Sequence, residues 1–163
     1  MRTFALADLE DIYSARILEL AGAISHIGRL PTPHNSVLGS ATAHSKLCGS
    51  TVTLDLTLNG GRVSSYGQVV KACLLGQSAC SVMGREIIGS EPAELRAVGA
   101  QMRAMLKAGG PPPQGRWADL GVLEPVRAYK GRHASVLLVF DAVEAALAKI
   151  EAPAAAQVGV AIA

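Results

Sequence analysis

The clearest pattern in the chain is a strict alternation from Thr51 to Leu58. Val52, Leu54, Leu56 and Leu58 project to one side, and Thr51, Thr53, Asp55 and Thr57 to the other. Successive side chains of an extended chain point to opposite faces, so this stretch predicts an antiparallel strand with one buried and one wet face. Asn59-Gly60-Gly61 supplies the turn residues of a hairpin, and Arg62 to about Val70 supplies the returning strand. A sheet of two strands is marginal in water, so a third is expected in or near the stretch before Cys48.

Helical spacing governs most of the remainder. From Ala7 to Ala23, Leu9, Ile12, Tyr13, Ile17 and Leu20 predict an amphipathic helix. After Cys73 a helix is predicted from about Leu74 to Ile88, crowded with the small residues Gly76, Ser78, Ala79, Ser81 and Gly84, which let another backbone approach closely. Ser90-Glu91-Pro92 opens the next helix, with proline in the first turn, and Leu95, Val98, Met102, Met105 and Leu106 form its buried stripe. Gly109, Gly110 and three prolines stop it. Val136, Phe140, Val143, Leu147 and Ile150 mark a last helix, ended by Pro153. The stretch from Pro31 to about Lys46 reads as a polar loop, and Pro111 to Lys130, with the only tryptophan at Trp117, as irregular. The sum is an α+β fold, a small antiparallel sheet of about three strands packed against several helices. One domain is expected over residues 1–152, and a low-complexity tail over 153–163.

Composition narrows the classes. The chain's 163 residues suffice for one sizeable core, and with half of them hydrophobic but only 4% aromatic the core must be mostly Leu, Val, Ile and Ala. A net charge of +2, with no basic run interleaved with aromatics, argues against nucleic-acid binding. No apolar run approaches the roughly 20 residues of a membrane span. The opening residues lack an apolar core and carry Asp8, Glu10 and Asp11, unlike a secretory signal or a mitochondrial transit peptide. Three cysteines, an odd and small number, argue against a disulfide framework and for a reducing compartment.

Candidate chemistry centres on two of those thiols. Cys48 lies in a turn where Gly49 lets the backbone bend, at the mouth of the Thr51 strand. Cys73 lies where the second strand gives way to a helix, and helix N-termini favour the thiolate. The hairpin can bring both to one end of the sheet. Thiolates hold zinc and iron–sulfur clusters, whereas buried free cysteines also serve simply as small core residues. Both readings stand on spacing alone, because no Cys-x-x-Cys pair is present. Cys80, two helical turns after Cys73 and about 10 Å along the axis, is too far to share one ion and reads as a core or interface residue. Of the histidines, His44 is closest in sequence to Cys48, while His26 and His34 read as solvated loop residues. No phosphate loop, His-Glu-x-x-His helix or Gly-x-Ser-x-Gly elbow is present, leaving a Cys73–His133 nucleophile pair as the one enzymatic alternative.

Leu47-Cys48-Gly49-Ser50-Thr51-Val52 resembles the first ligand motif of the U-type iron–sulfur cluster assembly scaffolds, the family of IscU, SufU and the N-terminal domain of NifU. Tyr66 to Cys73, running into a Ser/Ala-rich helix, resembles the second motif. Ala93 to Lys107 resembles the helix that follows in the SufU branch, and Arg132-His133-Ala134-Ser135 resembles the third motif, which opens the last helix. The resemblance spans about residues 8 to 150. It implies a non-enzymatic scaffold or carrier with a labile [2Fe–2S] cluster or zinc on Cys48 and Cys73, working with a cysteine desulfurase and cluster acceptors in the bacterial cytoplasm or a mitochondrial matrix. Two departures stand out. The family's third cysteine falls at Ser135, and its acidic ligand falls at Ser50. Hydroxyls are poorer ligands than thiolates for these metals. Two routes would complete the set: His133 as an imidazole ligand, or a homodimer pooling Cys48 and Cys73 of two chains. His133 reads equally well as an ordinary partner of a carbonyl or carboxylate. The alternative is a degenerate relative, keeping the fold but acting as an accessory or interaction subunit of a larger complex.

Overall fold

The computed structural model describes residues 13–34 and 36–152. Three strands, β1 (Val37–His44), β2 (Thr51–Asn59) and β3 (Arg62–Lys71), form an antiparallel sheet in the order β1-β2-β3. Helix α1 (Ala15–Ala21) precedes it. Helices α2 (Leu74–Glu86), α3 (Pro92–Lys107) and α4 (His133–Glu151) follow, with 3₁₀ segments over Gly115–Ala128 and Lys130–Arg132 between α3 and α4. The expected α+β fold is the one observed.

The third strand lies inside the stretch read as a loop. Its inward positions are Gly39, Ala41 and Ala43, paired with Leu56, Leu54 and Val52 of β2. These residues are too small to announce a buried face, yet their size is what the packing uses. A Cβ on Gly39 would stand 2.4 Å from the Ala146 carbonyl oxygen of α4, so that helix lies directly on β1.

The first described helix covers a later part of the Ala7–Ala23 stretch whose periodicity predicted it. It starts at Ala15, with the Ile17 N–H donating to the Ser14 hydroxyl as a cap; the predicted turns before Tyr13 lie outside the described residues. The segment expected to be irregular is instead a run of 3₁₀ turns. Its buried residues, Trp117, Leu120, Leu123 and Val126, recur every third position, the period of that helix.

The outer face of β2 is less wet than alternation implied. Asp55 is only 1% exposed. The Arg29 guanidinium donates to both of its oxygens at 2.7 and 2.9 Å, and the Leu30 N–H and the Ser40 hydroxyl add further bonds. Burial alone would push this carboxyl up. The hydrogen bonds from Arg29, Ser40 and Leu30, together with the arginine's charge, outweigh it and hold the group at about 2. On the inner face, buried Gln68 accepts from the Tyr66 hydroxyl and donates to the carbonyls of Ser25 and Cys80. Around it the Gly28 N–H donates to the Gln68 carbonyl and the Gln68 N–H to the His26 carbonyl, so residues 26–28 run beside β3 as a short parallel companion. Asp55 and Gln68 thus tie the chain after α1 across the sheet.

A carboxylate held below its ordinary value of 3.8 stabilises the fold above that value and loses its contribution as pH falls toward 2. Asp55→Asn should therefore cost about 2 kcal/mol of unfolding free energy at pH 7, with the deficit shrinking between pH 4 and pH 2. Urea unfolding of both proteins at pH 7 and pH 3 checks this; a deficit that did not change with pH would assign the loss to shape instead of charge.

Candidate metal centre

The register of the sheet decides where the thiols meet. His44 pairs with Thr51, and Thr51 with Lys71, so the end of β1, the start of β2 and the end of β3 share one end of the sheet. Cys48 therefore sits in the β1–β2 hairpin loop. That loop is closed by the Ser45 N–H donating to the Ser50 carbonyl at 2.8 Å and the Gly49 N–H to the Ser45 carbonyl at 2.9 Å. Gly49 takes φ +71°, a left-handed conformation that glycine adopts without strain. Cys73 follows β3 by two residues and is the N-cap of α2.

Helix α4 closes the corner from the other side. A Cβ on Gly76, in the first turn of α2, would stand 3.0 Å from the Ser135 carbonyl oxygen and 2.9 Å from the Ala72 Cβ. Only a glycine lets the first turns of α2 and α4 approach this closely. The result is that Ser135, on α4, reaches the hairpin loop.

Around Cys48 the side chains form a cage of hydroxyls. The sulfur lies 3.0 Å from the Ser135 hydroxyl, 3.0 Å from that of Ser50 and 3.4 Å from that of Ser45, and Ser50 and Ser135 are 3.4 Å apart. A thiol has one proton to give, whereas a thiolate can accept from all three hydroxyls. The Ser135, Ser45 and Ser50 hydroxyls and the Ser50 N–H accordingly pull the thiol down from 9.0 to about 6, against a small opposing effect of burial. The cage thus favours the thiolate over the thiol. The first turns of α2 and α4 add the partial positive charge of two helix N-termini to the same corner.

The structure thus brings together Cys48, Ser50 and Ser135, with Cys73 at the start of the helix packed against Ser135. His133 is turned elsewhere. It is buried at the first position of α4, and its Nε2 lies 3.1 Å from the carbonyl oxygens of Val126 and Arg127. Both partners are acceptors, so Nε2 carries the proton. Among the described residues no three His, Cys, Asp or Glu side chains stand where they could hold one metal ion. The His133 ring thus has the carbonyl partners that one of its two expected roles calls for. His44 is exposed at the end of β1. Cys80 is fully buried, its thiol pushed up to about 12 by that burial, as its core reading requires. Ser45 had no signal of its own: its closeness to Cys48 emerges only once β1 is known to end at His44.

The α+β fold is shared with solved structures. A nitrogen-fixing NifU-like protein (N-terminal) from Brucella abortus is 51% identical, with a TM-score of 0.85 over 90% of this chain and 99% of that one. A SUF-system protein from Fervidobacterium islandicum, described as an iron–sulfur cluster assembly scaffold, superposes at a TM-score of 0.74 with 22% identity, covering 85% of this chain and 98% of its own. No family model matches the chain, and no curated protein does. On the strength of the Brucella relative, the chain belongs to the NifU-like N-terminal family.

The cage predicts its own chemistry. Peptide-resolved alkylation of Cys48 should follow a thiolate titration with a midpoint near pH 6, and Ser135→Ala should move that midpoint up toward the ordinary thiol range near 8.5. Identical pH–rate curves for the two proteins would show that the Ser135 hydroxyl does not set the acidity.

Proposed function

We propose that this chain is a scaffold or carrier in iron–sulfur cluster assembly, holding a labile [2Fe–2S] cluster or zinc through Cys48 and Cys73. The observation that carries the reading is the corner itself, where Cys48 meets Ser50 and Ser135 beside the start of α2, which Cys73 caps, in a chain 51% identical to a NifU-like N-terminal domain. Metal and cluster ligation need deprotonated sulfur, and the hydroxyls around Cys48 favour the thiolate. The cluster or metal is cargo, and the chain's own residues hold and release it. Cys48 and Cys73 supply soft donors. Ser50 and Ser135 stand where the family has an acid and a third cysteine, each with its hydroxyl 3.0 Å from the Cys48 sulfur. Hydrogen bonds to ligand sulfur tune the reduction potential of a cluster.

Two thiolates per chain fall short of the four that a [2Fe–2S] cluster takes. Two copies of the chain, each giving Cys48 and Cys73, make up the number, and a symmetric dimer is the economical arrangement. The role is non-catalytic: a cysteine desulfurase would supply sulfur and acceptor proteins would take the finished cluster. Three free cysteines fit a reducing compartment such as the bacterial cytoplasm.

A second reading rests on the same cage. With hydroxyls where two family ligands belong, the domain would keep the fold as an accessory subunit that binds partners and no metal. Anaerobic reconstitution with iron and sulfide, or with zinc, separates the two. The scaffold reading expects one [2Fe–2S] cluster per two chains, with visible absorption lost in the Cys48→Ala, Cys73→Ala double variant, and Ser135→Cys should raise retention at least ten-fold. A wild-type chain that takes up neither metal, while Ser135→Cys does, would establish the accessory reading.

A further inference from the structure

A hollow opens where the end of α3 meets the junction between the 3₁₀ segments and α4. Leu106, Lys107, Arg127, Lys130 and His133 line it, and it encloses about 270 Å³. Leu106 and His133 are buried, Arg127 is half-buried, and Lys107 and Lys130 are exposed. No carboxylate is among these lining residues. Glu124 pairs with Arg127 at 2.8 Å, so one of the three positive charges is answered locally. Lys107 and Lys130 have no ion-pair partner among the described residues, and they reach the hollow from different elements.

A lysine in the last turn of a helix is ordinary, because the carbonyl end of the helix attracts it. Arg127 and Lys130 likewise stand in the last turns of the two 3₁₀ segments, and what the helix ends leave unexplained is that cations from three elements line one concavity. Cations gathered around one concavity repel one another, and the low-dielectric walls of a cleft concentrate their field. An anion in the hollow relieves that repulsion. Lysine ammonium groups bind phosphate as mobile point charges, and an arginine fork adds directed bonds.

Size selects within the anions. Pockets for drug-sized organic ligands run from about 300 to 1,000 Å³. At about 270 Å³ the hollow falls just under that range, which suits a compact polyanion better than a whole nucleotide. We propose that this hollow is a binding site for a small phosphate-bearing anion, held by Lys107, Lys130 and Arg127 over the His133 floor. The site is separate from Cys48, but it shares the first turn of α4, where His133 precedes Ser135 by two residues.

The test titrates the full chain with inorganic pyrophosphate at constant ionic strength, read by amide NMR and calorimetry. The expected result is a single site, with amide shifts concentrated at residues 106–107 and 127–133. Lys107→Ala and Lys130→Ala should each weaken binding at least five-fold, and Lys46→Ala, an exposed lysine outside the hollow, should leave it unchanged. Lys130→Met, which keeps an unbranched stem of similar length without the charge, should weaken binding as Lys130→Ala does. Shifts scattered over surface lysines, equal affinity in the Lys130 variants and the wild type, or no response beyond that of chloride at the same ionic strength would each overturn the proposal.

Discussion

The approach of α2 to α4 at Gly76 is the contact on which the candidate centre depends. A single methyl there would press on the Ser135 carbonyl and the Ala72 Cβ. Overpacking of this kind typically costs about 1–3 kcal/mol. The larger effect would be positional, since drawing α4 back withdraws the Ser135 hydroxyl from Cys48. The small residues along α2 serve the same purpose at each of its neighbours. Ser78 donates to the Ile17 carbonyl of α1 at 2.9 Å, and Gly84 leaves room for the Gln68 amide and for Ser25. Helix α2 is therefore slim on several sides, and the fold is assembled around it.

Two buried polar residues do for the sheet what the glycines do for the helices. Asp55 and Gln68 each gather bonds from segments far away in sequence, and both are satisfied throughout. Apolar side chains could fill the same space, but they would not fix where the chain between α1 and β1 crosses the sheet. A satisfied buried polar network specifies position more than it adds free energy. Here it specifies the path of residues 25–30, and so where the chain enters β1.

Much of this was legible in the sequence. Strands β2 and β3, the hairpin between them and helices α2, α3 and α4 follow from period and turn chemistry. Strand β1 was hidden because its inward residues, Gly39, Ala41 and Ala43, carry no hydrophobic bulk. The 3₁₀ run was hidden because Trp117, Leu120, Leu123 and Val126 repeat every three residues, a period that neither the helix nor the strand template matches. At the site, motif resemblance put Cys48, Ser50, Cys73 and Ser135 in one set, and the structure packs three of them in direct contact, with Cys73 capping the adjoining helix. His133 shows the limit of reading by proximity in sequence: two residues from Ser135, its ring is claimed by the carbonyls of Val126 and Arg127, because a buried imidazole N–H takes the acceptors its helix start offers.

The hairpin loop from Ser45 to Ser50 is held by two backbone hydrogen bonds, whereas Ser135 is anchored in a helix. The surroundings of the sulfur are therefore built from two sides: the loop that carries Cys48 supplies the Ser45 and Ser50 hydroxyls, and α4, 87 positions further along the chain, supplies that of Ser135.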